Sequence, residues 1–153
     1  MNEILRTGQK LFDQAAADPR QEFGSFFLSR FLGLEVSYEP DACIVAFEAL
    51  PALFNPQGTL HGGVLSTALD ISMGHLLNKR SGPGATLEMK VQYLAPVAKG
   101  KVTCRASFLR HGARLSFIQS QATDAEGNAV AYATATWKSL ASGTAKASGK
   151  AKE

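Results

Sequence analysis

The sequence lacks the features that mark several large classes of protein. Its 153 residues contain no run of about 18 apolar residues, so no transmembrane helix is expected. The opening segment MNEILRTGQKLF lacks the basic-then-apolar order of a signal peptide, and we expect a cytoplasmic protein without a membrane partner. Cys43 and Cys104 are too few for a disulfide framework and are interpreted as small buried hydrophobic residues, with a reactive thiol as the alternative.

A strong charge of one sign is also missing. The formal net charge is +3, and the last ten residues, from Thr144 onward, contribute +2 of it, which leaves 3 − 2 = +1 for the remainder. This balance argues against a nucleic-acid partner, although a mildly basic rim suits an anionic small ligand. The composition, 45% hydrophobic and 19% charged, is typical of a globular domain.

The apolar pattern predicts helices first and then mainly strands. Residues 4–16 have helical spacing before Pro19, and the segment QEFGSFFLSRFLG predicts a second, short helix. Residues 34–50 predict a strand with a kink at EPDA, and an apolar helix is predicted from about Gly63 to Lys79. Four further strand patterns, interpreted as an antiparallel meander, cover residues 85–97, 100–112, 113–124 and 127–140.

One long apolar helix and about five antiparallel strands predict an α+β fold. A curved sheet laid around such a helix buries the apolar surface of both. Residues 1–140 are predicted to form a single domain, with residues 1–33 as a helical N-terminal extension. The small and charged residues 141–153 show no apolar period and are predicted to be disordered.

The segment NPQGTLHGGVLSTALD, residues 55–70, contains the candidate chemistry. Gly62 and Gly63 follow a loop and begin the apolar helix, where bare N–H groups attract an anion or a polarised carbonyl oxygen. Asp70 lies on the same helix, whose apolar side chains leave little room for a solvent-facing side. Because an unpartnered buried carboxylate is costly, we expect Asp70 in a pocket or at a seam between proteins.

Helix geometry limits how these groups cooperate. Gly62 and Asp70 are eight residues apart, about 12 Å along a helix, whereas groups that serve one carbonyl must lie within about 3 Å of it. His61 and Asp70 of one chain therefore do not form a catalytic dyad. If both ends of the segment are functional, two copies of the chain must place Gly62 of one against Asp70 of the other.

The pattern Asn55-x-x-Gly58-x-x-His61-Gly62-Gly63, with an acid nine residues after the histidine, resembles that of hotdog-fold acyl-CoA thioesterases of the phenylacetate-degradation (PaaI) type. The stretch GATLEMKVQYLAP and the closing strands extend the resemblance to about residues 34–138. It implies a hotdog fold, a long central helix wrapped by a curved sheet. It also implies hydrolysis of acyl-CoA without a metal or organic cofactor, in a homodimer or homotetramer whose sites lie at subunit interfaces.

The same resemblance assigns catalytic roles. The Gly62 N–H would donate to the thioester oxygen, Asn55 would assist binding or water placement, and His61 would brace the loop. Asp70 from the neighbouring subunit would act as general base or nucleophile, and Thr86 would help to hold the attacking water.

Further residues, beyond those with assigned catalytic roles, are predicted to bind the substrate. Gly63 adds a second backbone N–H beside Gly62. Cations that would bind the coenzyme A phosphates cluster in and near the turn RHGAR: Arg110, His111 and Arg114, with Lys90 and Lys99 as neighbours. Apolar side chains that would line an acyl pocket are Phe54, Leu60, Met73, Leu77 and Tyr93.

Two alternative functions stay open from the sequence. One is a hotdog dehydratase or hydratase, in which a histidine is the general base. The other is a non-catalytic acyl-CoA-binding protein that keeps only the fold. The sequence also leaves open the acyl group and the choice between a nucleophilic and a general-base Asp70.

Overall fold

A computed structural model of the chain describes residues 2–140, so the tail predicted to be disordered lies outside the described residues. The N-terminal helices are α1 (Glu3–Ala16) and α2 (Phe27–Phe31), and the long helix is α3 (Gly62–Ser81). The strands are β1 (Glu35–Glu39), β2 (Ala42–Glu48), β3 (Gly84–Tyr93), β4 (Lys101–Arg110), β5 (Leu115–Thr123) and β6 (Ala129–Ser139). A short 3-10 helix covers Pro51–Leu53.

The strands form one antiparallel sheet in the order β1-β2-β4-β5-β6-β3, and helix α3 packs against strands β2 to β6. This is the hotdog architecture that the sequence predicts. The predicted kink at EPDA is a tight turn at Pro40 and Asp41, so the sheet has six strands rather than about five. None of the helices within residues 2–140 combines the length and apolar character needed to cross a membrane.

The predicted meander of four consecutive strands is wrong in its first member. Strands β4, β5 and β6 pair in chain order, but β3 pairs with the far side of β6, from Gly84 opposite Ser139 to Tyr93 opposite Ala131. The chain then crosses from β3 to β4, which lies beside β2. Alternation along a strand reports which face is buried and not which strand lies next to it. As a result β3 is an edge strand.

The N-terminal extension follows the prediction in α1 and departs from it afterwards. Asn2 caps α1 by accepting a hydrogen bond from the Ile4 N–H at 2.8 Å. The predicted second helix is confined to the five residues of α2. The segment before it makes a turn closed by the backbone pair Glu22–Ser25, with Gly24 at φ +86°, a conformation that glycine adopts without strain.

Helix α3 is covered on most of its surface. Leu65, Leu69, Met73 and Leu77 are at most 4% exposed and form the centre of the core. The sheet leaves one stripe of the helix only partly covered or exposed, and this stripe contains Gly63, Thr67, Asp70 and Ile71.

Both cysteine thiols lie in the core, as the sequence predicts. Cys43 and Cys104 are 0% exposed, and burial raises the pKa of each thiol to about 12. Neither thiol is therefore ionised near neutral pH, which removes the reactive-thiol alternative.

Candidate active site

Two of the cavities along α3 contain residues of the predicted catalytic segment. The first, of about 330 Å³, surrounds the N-terminus of the helix and is lined by Asn55, Leu60, Gly62, Leu65 and residues 93–97. The second, of about 260 Å³, surrounds Asp70 and is lined by Phe23, Phe26, Asp70, Ile71, Gly74, His75, Gly84, Thr86 and Trp137. Among the described residues, none lines both cavities. The two ends of the predicted catalytic segment thus face different spaces within one chain.

The first cavity ends at the exposed backbone of the helix N-terminus. Gly62 is the first helical residue, so its N–H has no carbonyl partner within the helix. His61 is the N-cap, and its Nδ1 accepts a hydrogen bond from the Gly63 N–H at 2.9 Å. The Tyr93 hydroxyl donates to the Gly62 carbonyl at 3.0 Å and also contacts the Ser66 hydroxyl. These contacts fix the helix start while leaving the Gly62 N–H without an intrahelical partner.

The loop before the helix is shaped by Asn55. Its side-chain oxygen accepts hydrogen bonds from the backbone N–H groups of Gln57, at 3.0 Å, and Thr59, at 3.2 Å. Gly58 completes the turn at φ +79°, where a side chain would be strained. Asn55 therefore lines the cavity, and its amide oxygen is occupied in holding the loop.

The second cavity contains a carboxylate with one hydrogen-bond donor. The Thr86 hydroxyl donates to Asp70 Oδ1 at 2.8 Å. Burial raises the pKa of the half-buried Asp70 carboxyl, and the Thr86 hydrogen bond opposes this shift. The arrangement is that of a carboxylate prepared to accept a proton.

Strand β3 brings Thr86 to Asp70 by a close approach to the helix. A Cβ atom on Gly84 would lie 2.3 Å from Leu77 Cδ2 and 3.1 Å from the Lys138 carbonyl oxygen, so only glycine fits at the start of the strand. The register then shifts by a bulge between Thr86 and Glu88. The sequence of β3 thus positions Thr86 beside α3.

The remaining walls of the second cavity are largely aromatic. The Trp137 ring packs on Gly74, where an added Cβ atom would lie 2.8 Å from ring carbon Cη2. His75 is 2% exposed, its Nδ1 lies 2.8 Å from the Tyr38 hydroxyl, and burial lowers the pKa of its imidazole. His75 is therefore neutral near pH 7, which leaves Asp70 as the only charged group among the described residues that line this cavity.

The residues predicted to line an acyl pocket divide between cavity and core. Tyr93 and Leu60 line the first cavity. Met73 and Leu77, at 0% and 1% exposure, are buried in the core and line neither cavity. Phe54 is half-buried and forms an isolated backbone bridge with Leu60.

The predicted phosphate-binding cations lie away from these two cavities, and His111 lines a further cavity of about 470 Å³ with Lys79 and Arg80. His111 Nε2 is 3.2 Å from the Ser81 hydroxyl, at the C-terminal end of α3 and about 16 Å along the helix from Asp70. Arg110 and Arg114 are exposed in and after the end of β4. Lys90 is exposed on the edge strand β3, and Lys99 is exposed in the connection to β4. These residues therefore do not form one cluster with Asp70 and Gly62 within the chain.

Sequence reasoning missed most of the wall of the second cavity. Phe23, Phe26, His75 and Trp137 were not identified as candidates, because they come from three distant parts of the chain. The sequence contained one signal of this wall. The segment EFGSFF is rich in aromatic residues and lies in a region too short for a long helix. The contact between Tyr93 and Gly62 was likewise not expected.

Comparison with known proteins identifies a family to which this chain is similar. The model of the thioesterase superfamily matches residues 57–131. The medium/long-chain acyl-CoA thioesterase YigI of Escherichia coli strain K12 is 29% identical, over 71% of this chain and 83% of its own. The structure of a point mutant of the phenylacetic acid degradation protein PaaI from Thermus thermophilus superposes with a TM-score of 0.69 at 30% identity, covering 74% of this chain and 98% of that one.

A more distant structure matches more of the fold. The BH2602 protein from Bacillus halodurans, solved with CoA, superposes with a TM-score of 0.81 at 21% identity, over 90% of this chain and 93% of that one. The long helix, the antiparallel sheet and these matches agree with one another. The chain belongs to the thioesterase superfamily and is a hotdog-fold thioester hydrolase of the PaaI type.

Proposed function

We propose that the protein hydrolyses acyl-CoA thioesters in a site completed by two subunits. The observation that carries this proposal is the separation of the candidate groups. Asp70 and Thr86 lie in one cavity and the Gly62 N–H in another, about 12 Å away along the same helix. Neither cavity alone holds both an acid–base group and an oxyanion donor. A second copy of the chain supplies the missing half.

The edge strand β3 offers a route to this assembly. Its outer side has no strand neighbour in the described sheet, and long free edges tend to pair. Thr86, beside Asp70, and Tyr93, beside Gly62, mark the two ends of β3. Antiparallel pairing of two β3 strands about a two-fold axis near Met89 would oppose these ends. Asp70 of one chain would then approach Gly62 of the partner subunit twice per dimer.

The proposed reaction assigns each group one task. The thioester oxygen accepts a hydrogen bond from the Gly62 N–H, strengthened by the N-terminal dipole of α3. Asp70 either takes a proton from the attacking water or attacks the carbonyl carbon itself. A carbon–oxygen bond forms, the carbon–sulfur bond breaks, and the coenzyme A thiolate leaves and takes a proton. In the nucleophilic variant, water then cleaves the acyl–Asp70 anhydride.

The environment of Asp70 supports the general-base variant in particular. Thr86 occupies Oδ1, which leaves Oδ2 available to a water molecule. Burial moves the pKa of the carboxyl toward the working pH, which favours proton transfer. A histidine-based hydratase is less well supported, because His61 caps the helix and His75 contacts Tyr38. The name of YigI, a medium/long-chain acyl-CoA thioesterase, supports acyl-CoA as the substrate class.

A two-variant mixing experiment tests both the chemistry and the shared site. Asp70→Asn removes the base, and Gly62→Pro removes the N–H. Proline is tolerated at the first helical position, and His61 at ψ 131° has the extended conformation that precedes proline. Each variant alone should lose at least about 100-fold in kcat with a panel of acyl-CoAs and a thiol-trapping dye. Asp13→Asn, an exposed change on α1, is the matched control.

Co-expression of the two variants with different tags then gives hybrid dimers. Each hybrid holds one site with both groups intact, so an equal mixture should regain about a quarter of wild-type activity. A purified hybrid without activity would show that the groups do not act across subunits. A loss of less than about tenfold for Asp70→Asn would show that Asp70 is not the acid–base group or nucleophile.

A further inference from the structure

The N-terminal extension contributes to the cavity at Asp70. Phe23 and Phe26 line this cavity together with residues of α3, β3 and β6. Both phenylalanines lie outside residues 57–131, the region that the family model matches. The cavity is therefore completed by a part of the chain that precedes the matched region.

The lining of the cavity is polar at Asp70 and Thr86 and aromatic elsewhere. The Phe23 ring lies 4.6 Å, between centroids, from the neutral imidazole of His75. Trp137 and Ile71 add apolar surface. A thioester carbonyl placed at Asp70 would thus direct its acyl group toward aromatic and aliphatic surface, where an apolar group gains by leaving water.

Hydrogen bonds donated by Arg30 hold the N-terminal extension against itself. The Arg30 guanidinium donates to three backbone carbonyls, those of Ala15 at 3.1 Å, Asp18 at 2.6 Å and Arg20 at 3.0 Å. It also donates to the Ser25 hydroxyl at 3.2 Å. These contacts hold the chain on both sides of Phe23, which is 50% exposed.

We propose that Phe23 and Phe26 determine acyl specificity by closing one wall of the acyl cavity and restricting the enzyme to compact acyl groups. This inference rests on the proposed role of Asp70. A closed apolar cavity of about 150 Å³ accommodates benzene, and the space of about 260 Å³ that Phe23 and Phe26 bound on one side suits a compact acyl group.

The test compares two substrates in wild-type protein and in variants of the wall. The kcat/KM ratio for decanoyl-CoA over hexanoyl-CoA should be below one in the wild type. In Phe23→Ala/Phe26→Ala this ratio should rise at least about tenfold, since each methylene group in an apolar pocket changes kcat/KM by about tenfold or more. Phe12→Ala is the matched control, because the Phe12 ring packs on Phe27, outside the cavity, and its ratio should stay within about twofold.

A second variant distinguishes a change in specificity from a failure to fold. Phe26→Leu keeps most of the side-chain volume and should give an intermediate ratio, with folding checked by circular dichroism. If the wild type cleaves hexanoyl-CoA in an Asp70-dependent manner and the folded wall variants keep the same ratio, the specificity inference is wrong and the proposed function stands. If no acyl-CoA is cleaved, or if Asp70→Asn is fully active, the proposed function itself fails. A wild-type preference for decanoyl-CoA would also contradict the inference.

Discussion

The two cavities along α3 are built in different ways. The cavity at Gly62 comes from two stretches, residues 55–65 and 93–97, and presents mainly backbone groups and a loop. The cavity at Asp70 comes from four separated stretches and presents side chains, a carboxylate among aromatic rings. The first depends on the start of a helix, which local sequence specifies. The second depends on the docking of a strand and of the N-terminal extension, which only tertiary packing specifies.

From this difference we infer that both cavities serve the chemical step and that the walls of the cavity at Asp70 select the acyl group. Any thioester oxygen can accept a hydrogen bond from a backbone N–H, so the loss of the Gly62 N–H itself should not depend on the acyl group. The walls around Asp70 are largely aromatic, and by the proposal above they distinguish one acyl group from another. Changes at Gly62 should therefore affect all substrates alike, whereas changes around Asp70 should affect rate, pH dependence and selectivity separately.

The largest expected effect is at the Gly62 end. Gly62→Pro should lower kcat by about 100- to 1000-fold with every acyl-CoA tested, because it removes one oxyanion donor. Gly62→Ala is the matched control. It adds the same Cβ atom, 3.2 Å from the Tyr93 ring, but keeps the N–H and should stay within about tenfold of wild type. Equal losses in the two variants would assign the effect to crowding against Tyr93 instead.

An intermediate effect is expected at Thr86. Thr86→Val keeps the shape but removes the hydrogen bond that opposes the raised pKa of Asp70, so kcat should fall about tenfold. Because the base must be ionised, the acidic limb of the kcat–pH profile should move to higher pH. Thr86→Ser keeps the hydroxyl and should restore both values. An unchanged pH profile in Thr86→Val would show that the contact does not influence the reacting carboxylate.

The smallest expected effect is on stability. Burial raises the pKa of Asp70 in the folded protein above its usual 3.8, so the folded state binds this proton more tightly than the unfolded state. Ionised Asp70 therefore destabilises the fold, and this cost appears as pH rises through the folded-state pKa. Asp70→Asn, which cannot ionise, should raise Tm by a few degrees at pH 7. Thermal melts should show that the difference disappears below about pH 4, and a lower Tm at pH 7 would contradict the assignment.

Local sequence patterns predicted the elements better than their arrangement. The pattern of α1, the length of α3 and the positions of β4 to β6 agree with the structure to within a few residues. The place of β3 beside β6 was missed, because strand order depends on pairings between residues far apart in the chain, here from 38 (Tyr93 with Ala131) to 55 positions (Gly84 with Ser139). The short helix predicted over residues 21–33 forms only at Phe27–Phe31, and Phe23 and Phe26, which precede it, line the cavity at Asp70.

The sequence by itself determined that Gly62 and Asp70 lie on one apolar helix, because helical rise and apolar period are local properties. It also predicted a pocket or a seam around Asp70, and in the structure Asp70 is half-buried on the stripe of α3 that the sheet leaves only partly covered. Only the tertiary structure decided that Thr86 donates to Asp70, that Tyr93 holds Gly62, and that Phe23 and Phe26 close the cavity. Those contacts join residues far apart in the chain, and the free energy that selects them comes from packing the sheet and the extension around α3.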